Sequence, residues 1–256
     1  GYTIPPLQAP DRRLIHVHPD PQELNRVYPA DLAICACMDE FAESAALWDE
    51  ADVISFDAGA QAHCEWEEWA TAKSTAHALD LGACVTFMRD TLPADTIICN
   101  GAGNFSGWWH RYWRYAGYPS QLAPTAGAMG YGVPAAVAAA RRHPDRMVVA
   151  VAGDGDFLMN GQELATAVQH GCNLLVVVVD NGAYGTIRMH QEREFPGRVS
   201  ATALANPDFA ALGAAYGAWS ARAENTEQFR AALSEAAGRS GVRLIHCVID
   251  VEQLAA

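Results

Sequence analysis

Apolar residues along this chain follow two rhythms. Short, nearly unbroken apolar runs, "MVVAVAGDG" from 147 and "LLVVVVDNG" from 174, alternate with stretches of helical spacing, "PAAVAAARRHPDR" from 134 and "NGQELATAVQHG" from 160. Runs that short and apolar throughout suit strands buried on both faces, and the helical stretches between them suit crossovers. The pattern therefore predicts an α/β fold: a doubly wound, mostly parallel sheet with helices on both faces. Predicted strands cover Leu14–Val17, Thr96–Cys99, Met147–Ala152 and Leu174–Val179, and "NTEQFRAALSEAAGRSGVRLIHCVID" adds a last helix and strand. Pro134 suits the first turn of its helix and Gly171 the C-terminal cap of the next.

The first strand breaks at Pro19 and Pro21, and "DLAICACMDEFAESAALWDEA" offers a second strand followed by a helix. Two strands alone do not make a stable sheet. Residues 1–50 thus read as the closing βαβ piece of an α/β domain whose earlier strands are absent, and residues 51–75, which show no clean period, as a connecting segment.

Composition narrows the class without changing this outline. The chain has 256 residues, half of them hydrophobic and 18% charged, as in ordinary globular proteins. A net charge of -13 repels polyanions, so neither nucleic acid nor an anionic membrane surface is an expected partner. The densest basic cluster, "RRHPDR" from 141, suits a solvated helix end. Seven cysteines without a CxxC pair suggest no disulfide framework or zinc knuckle, and a reduced, cytoplasmic compartment is expected. No apolar run approaches the ~20 residues of a membrane span. The beginning, "GYTIPPLQAPDRR", lacks the order of a secretion signal and reads as the middle of a longer polypeptide.

Candidate chemistry gathers in "GDGDFLMNGQELATAVQHGCNLLVVVVDNGAYG", residues 153–185. If its two flanking strands are parallel, Asp154 and Asn181 both emerge at carboxyl ends, where open α/β sheets bind ligands. Gly153 and Gly155 permit a tight turn and close backbone approach, and the following helix points its free N–H groups outward, which suits a phosphate. A carboxylate, an amide oxygen and a backbone carbonyl are hard donors that suit Mg²⁺ with room for phosphate oxygens. The plain alternative is that Asp154 caps the helix and Asn181 fills a turn. A calcium-binding EF-hand loop fails on spacing, because its glycine would fall at Met159 and its last glutamate at Ala165.

Gly153-Asp154-Gly155, followed 25 residues later by Asp180-Asn181, resembles the motif of thiamine-diphosphate-dependent enzymes, and the surrounding words are most similar to the acetolactate-synthase-like branch. Asp180 departs from the pattern, which has Asn there. The resemblance implies thiamine diphosphate and Mg²⁺ as cofactors, with Asp154, Asn181 and the Ala183 carbonyl as metal ligands. Gly153, Gly155, Asp156, Tyr184 and Gly185 would complete the diphosphate site, Asp156 lending only its backbone N–H. "APTAGAMGYGVPAA" matches the segment that bends the cofactor: Met129 would lie under the thiazolium, and the Gly127 carbonyl would accept the aminopyrimidine N–H. In "NGAGNF", Gly103 and Asn104 match further diphosphate contacts. Thr186, Ile187 and His190 become substrate-pocket candidates; acetolactate synthases have Trp where His190 stands, and the plain alternative is an exposed loop histidine.

The resemblance implies action on a 2-oxo acid, by carboligation after decarboxylation, by simple decarboxylation, or as a hydroxyacyl lyase. A chain that only binds cofactor or a partner is the reading from another class. The resemblance also assigns residues 1–50 to the tail of a middle domain and 76–256 to the diphosphate-binding domain. The activating glutamate would come from a pyrimidine-binding domain of a second subunit, in a homodimer or homotetramer, so no turnover is expected of this stretch alone. FAD, found in acetolactate synthases, would bind largely outside it. Two further features read as structural: "WWHRYWRY" from 108 as an aromatic helix face at a domain or subunit interface, and "HVH" from 16 as a strand segment without a third metal ligand.

Overall fold

Parallel pairing of doubly buried strands organises the larger part of the chain. A computed structural model describes residues 13–48 and 58–254, and the chain divides between residues 62 and 63 into two units. In the first, β1 (Ile15–His18) and β2 (Leu32–Cys35) pair in parallel with Ile15 opposite Leu32, and α1 (Met38–Ala45) follows. Helix α2 (Ala58–Trp69) runs through the division, inside the segment that reads as a connection. It escapes the periodicity reading because its contacts are not an apolar stripe: Arg114 lies over the Trp66 ring at 4.3 Å and Arg111 over Trp69 at 4.7 Å.

The second unit continues with α3 (Leu81–Thr91), β3 (Ile97–Asn100), α4 (Ser106–Tyr112), β4 (Gln121–Leu122), α5 (Gly132–Arg142) and β5 (Val148–Gly153). After these come α6 (Asp154–Asn160), α7 (Glu163–Gln169), β6 (Leu174–Asp180), α8 (Gly185–Glu194), α9 (Phe209–Ala215), β7 (Trp219–Ala223), α10 (Thr226–Ala237) and β8 (Val242–Val248). The six strands β3 to β8 form one parallel sheet in the order β4-β3-β5-β6-β8-β7. This is the doubly wound α/β architecture that the apolar runs predict.

Alternation along each strand splits the core in two. Val149, Val151, Leu175, Val177 and Val179 pack with Leu81, Met88, Trp109 and Leu233 of α3, α4 and α10. Val148, Ala150, Leu174, Val176 and Val178 pack with Val133, Val137, Leu164 and Phe209 of α5, α7 and α9 on the other face. The aromatic segment from 108 belongs to this core rather than to an interface face: Trp108, Trp109, Tyr112 and Trp113 are all buried within the second unit. Gly171 ends α7 with φ 60°, as its cap position requires. Among the described residues no helix is long and apolar enough to cross a membrane.

One close approach ties α5 to the sheet. A Cβ on Gly132 would lie 2.8 Å from the Gly101 backbone nitrogen and 3.0 Å from the Val151 carbonyl, and backbone cannot move aside as a side chain can. Gly132→Ala should therefore destabilise the fold by about 1–3 kcal/mol, the usual range for overpacking. Gly238→Ala, at the exposed C-cap of α10 where the backbone is right-handed (φ -82°) and the nearest atom to the new carbon is 3.6 Å away, should be neutral or stabilising by about 0.4–1 kcal/mol. Urea unfolding of the two variants beside the parent checks the contrast.

Candidate functional site

Strands β3, β5, β6 and β8 run in parallel, so the turns that follow them gather at one edge of the sheet. There they enclose a cavity of about 240 Å³. Its lining includes Gly103 and Asn104 after β3, Gly127 and Met129 before α5, and Gly153, Asp154, Gly155 and Asp156 after β5. Asn181, Ala183, Tyr184, Gly185, Thr186 and Ile187 line it after β6. Every site residue singled out in the sequence thus reaches the cavity except His190. That side chain is exposed and lies 3.0 Å from the Arg193 guanidinium, one helical turn along α8 beyond Thr186, which carries it past the cavity edge.

The turn after β6 is built by its own side chains. Gly182 N–H donates to Asp180 Oδ1 at 3.0 Å and Ala183 N–H to Asn181 Oδ1 at 3.1 Å, while φ 67° at Gly182 favours glycine. The Gly182 carbonyl and the Tyr184 N–H pair with Leu204 and Thr202, which fixes the strand-like course of Ala183. Asn104 secures α8 from across the cavity: its N–H meets Thr186 Oγ1 at 3.0 Å, its carbonyl accepts the Thr186 hydroxyl at 2.9 Å, and its amide donates to the Leu254 carbonyl at 2.8 Å.

Two carboxylates, Asp154 and Asp156, line the cavity, and Asp180 lies beside Asp154 behind it. Asp154 is 3% exposed; burial pushes its pKa up to about 6, against the bonds from Gly155 N–H and the Asn206 amide. Burial would also raise Asp180, but bonds from His246, Asn206 and Gly182 hold it below the usual carboxylate range. Asp156 is likewise buried and raised to about 6. The expectation that it lends only its backbone needs correcting. Its Oδ1 accepts Gly130 N–H at 2.7 Å and Ala102 N–H at 3.2 Å, so the side chain clamps two loops of the cavity together. Among the described residues no cluster of three or more His, Cys, Asp or Glu could hold a metal. A cation here would rest on one carboxylate with an amide and a carbonyl oxygen.

Glycines make room for the walls. A Cβ on Gly153 would meet the Phe105 ring at 2.9 Å, one on Gly155 the Tyr184 ring at 2.5 Å, and one on Gly185 the Asn181 amide at 2.7 Å. The result is a cradle with hard oxygen donors at its base and ring faces around it.

The family described as "Thiamine pyrophosphate enzyme, C-terminal TPP binding domain" matches residues 101–247, more than half of the chain. The chain belongs to this family. It is 29% identical to the acetolactate synthase isozyme 2 large subunit of Escherichia coli, over 94% of this chain and 44% of that protein. It is 32% identical to the acetolactate synthase large subunit of Parasynechococcus marenigrum, over 82% of this chain and 35% of that one. A thiamine diphosphate-dependent 4-hydroxybenzoylformate decarboxylase from Rhodococcus jostii superposes with a TM-score of 0.76 at 25% identity, over 93% of this chain and 44% of that one. The chain therefore spans less than half the length of each of these proteins, and the sheet described above matches the α/β fold of the decarboxylase.

Three side chains at the site carry roles that the sequence does not reveal. Asn206 and His246 lie 26 and 66 positions from Asp180, the residue they contact, and no local pattern marks either. Asp156 is visible, but its clamp spans 26 and 54 positions to two other loops. Asp156→Ala should leave two N–H groups without an acceptor and cost roughly 1–3 kcal/mol. Asp156→Asn keeps the accepting oxygen and removes a buried charge, so it should be more stable than the parent at pH 7. Because the folded pKa of Asp156, about 6, lies above its ordinary value, the folded parent takes up a proton before the unfolded chain does as pH falls. The advantage of Asp156→Asn should accordingly shrink between pH 6 and the ordinary carboxylate pKa, and denaturant unfolding across that window checks it.

Proposed function

We propose that this chain is the diphosphate- and metal-binding part of a thiamine-diphosphate-dependent enzyme that acts on 2-oxo acids. The observation that carries the reading is the single cavity into which Asp154, Asn181 and Ala183 open together beside the glycine turn after β5. The residues present fit the cofactor and its metal. Asp154 is a buried carboxylate with only neutral hydrogen-bond donors, and it supplies with Asn181 and the Ala183 carbonyl the oxygen set that Mg²⁺ prefers. Gly103, Gly153, Gly155 and Gly185 line the cavity without side chains of their own, where a diphosphate needs close approach.

Thiamine diphosphate, when bound, supplies a nucleophilic carbon and an electron sink for decarboxylation of the 2-oxo acid. The work of this chain is to anchor and shape. Asp154, Asn181 and Ala183 hold the Mg²⁺. Gly155, Asp156, Gly103, Asn104, Tyr184 and Gly185 surround the diphosphate, and Met129, 38% exposed at the lining, bears with the Gly127 carbonyl on the rest of the cofactor. Thr186 and Ile187 face the substrate, while His190 stands outside the cavity. The activating carboxylate is supplied by a pyrimidine-binding domain of a second subunit, in a homodimer or homotetramer in the cytoplasm.

Similarity to proteins named acetolactate synthase favours carboligation after decarboxylation. Likeness to an enzyme named as a decarboxylase favours release of an aldehyde. Product analysis with pyruvate separates the two: an acetohydroxy acid marks the carboligase, acetaldehyde the decarboxylase. The cofactor reading is tested first by calorimetric titration of thiamine diphosphate into the whole protein, with Mg²⁺ and with EDTA. Binding should require the metal, and Asp154→Ala should weaken it by at least ~100-fold, beyond the loss that follows removal of an outer partner. Equal binding by the variant would sink the assignment.

A further inference from the structure

Beside the metal-presenting turns lies a side-chain chain that the cofactor reading does not use. Asn206, in the segment before α9, donates from one amide nitrogen to two carboxylates, Asp154 Oδ2 at 2.7 Å and Asp180 Oδ1 at 2.7 Å. Asp180 continues through Oδ2 to His246 Nε2 at 2.8 Å. His246 is 1% exposed, with the Phe209 ring edge-on at 5.1 Å and Asp208 Oδ1 at 3.7 Å from its other nitrogen. The amide orientation is forced, because turning it would aim the Asn206 carbonyl at two carboxylates.

The geometry points to Asn206 as a positioning residue that sets the spacing of the two metal-presenting turns, with His246 anchoring the far side of Asp180. This inference rests on the metal assignment proposed above. Register carries the argument: Gly153 of β5 lies opposite Val179 of β6, so Asp154 and Asp180 leave the sheet side by side. Two carboxylates at that separation repel in a buried setting. A neutral side chain with two N–H groups on one nitrogen joins them without adding charge, and asparagine is short enough to do so here. By fixing Asp180 it also fixes the Gly182 N–H bond, and with it the turn that presents Asn181 and Ala183. Asp180, the departure from the family motif, thus has a counterpart: His246 supplies the ring N–H that its second oxygen accepts.

Mg²⁺ affinity at saturating thiamine diphosphate tests this, read from tryptophan fluorescence, since Trp108 lines the cavity. Asn206→Ala should weaken Mg²⁺ binding by 10- to 100-fold, as outer partners of metal ligands do, and should lower the thermal midpoint without metal as the two carboxylates lose their shared donor. Asn206→Ser, polar but too short to span both carboxylates, should behave alike and serves if the alanine variant does not fold. Parent-like Mg²⁺ affinity in the Asn206 variants, with or without a lower thermal midpoint, overturns the inference. A parent that binds thiamine diphosphate without regard to Mg²⁺ overturns the metal assignment itself.

Discussion

The register of β5 against β6 is the constraint on which the site depends. Val148 lies opposite Leu174 and Gly153 opposite Val179, and both strands are buried on both faces. A slip of one residue would exchange every side chain between two cores that differ in shape, one filled by Trp109 and Leu233, the other by Phe209 and small alanines. Packing therefore locks the register, and the register sets Asp154 beside Asp180 without any attraction between them.

Three acids at one buried edge call for three different answers to the same electrostatic problem. Asp180 has an aromatic base and an amide; Asp156 faces two backbone N–H groups; Asp154 has only an amide and the N–H of its own turn. Asp154 and Asp156 thus each meet two neutral donors, and both are raised to about 6, whereas Asp180 meets three donors and is held low. Asp156 keeps one buried oxygen, Oδ2, without a hydrogen-bond partner, so compensation is fullest at Asp180.

How much of this was legible follows from the range of each interaction. The strands were readable because burial on both faces writes a local signature of consecutive valines, and their predicted limits fall within a residue of β3, β5 and β6. The glycine turn and Asn181 were readable because a turn is local chemistry. The two-residue β4 and the mixed "WSARA" of β7 carry no such signature, and α2 is held by tryptophans under arginines. Asn206 and His246 act across the fold, so only the assembled sheet edge identifies them. His190, close in sequence to cavity residues, lies one helical turn beyond Thr186 and does not line the cavity.

The glycines of the cradle have one more consequence. Phe105, Tyr184 and Asp156 occupy the space that a Cβ on Gly153, Gly155 and Gly101 would claim, the last at 1.9 Å. Neither member of such a pair is free to change alone: a larger residue at 153 needs a smaller one at 105, and a smaller ring at 184 leaves a void over 155. Each such pair is therefore one packing unit, in which a change of size at the glycine must be met by an opposite change at the side chain that fills its place.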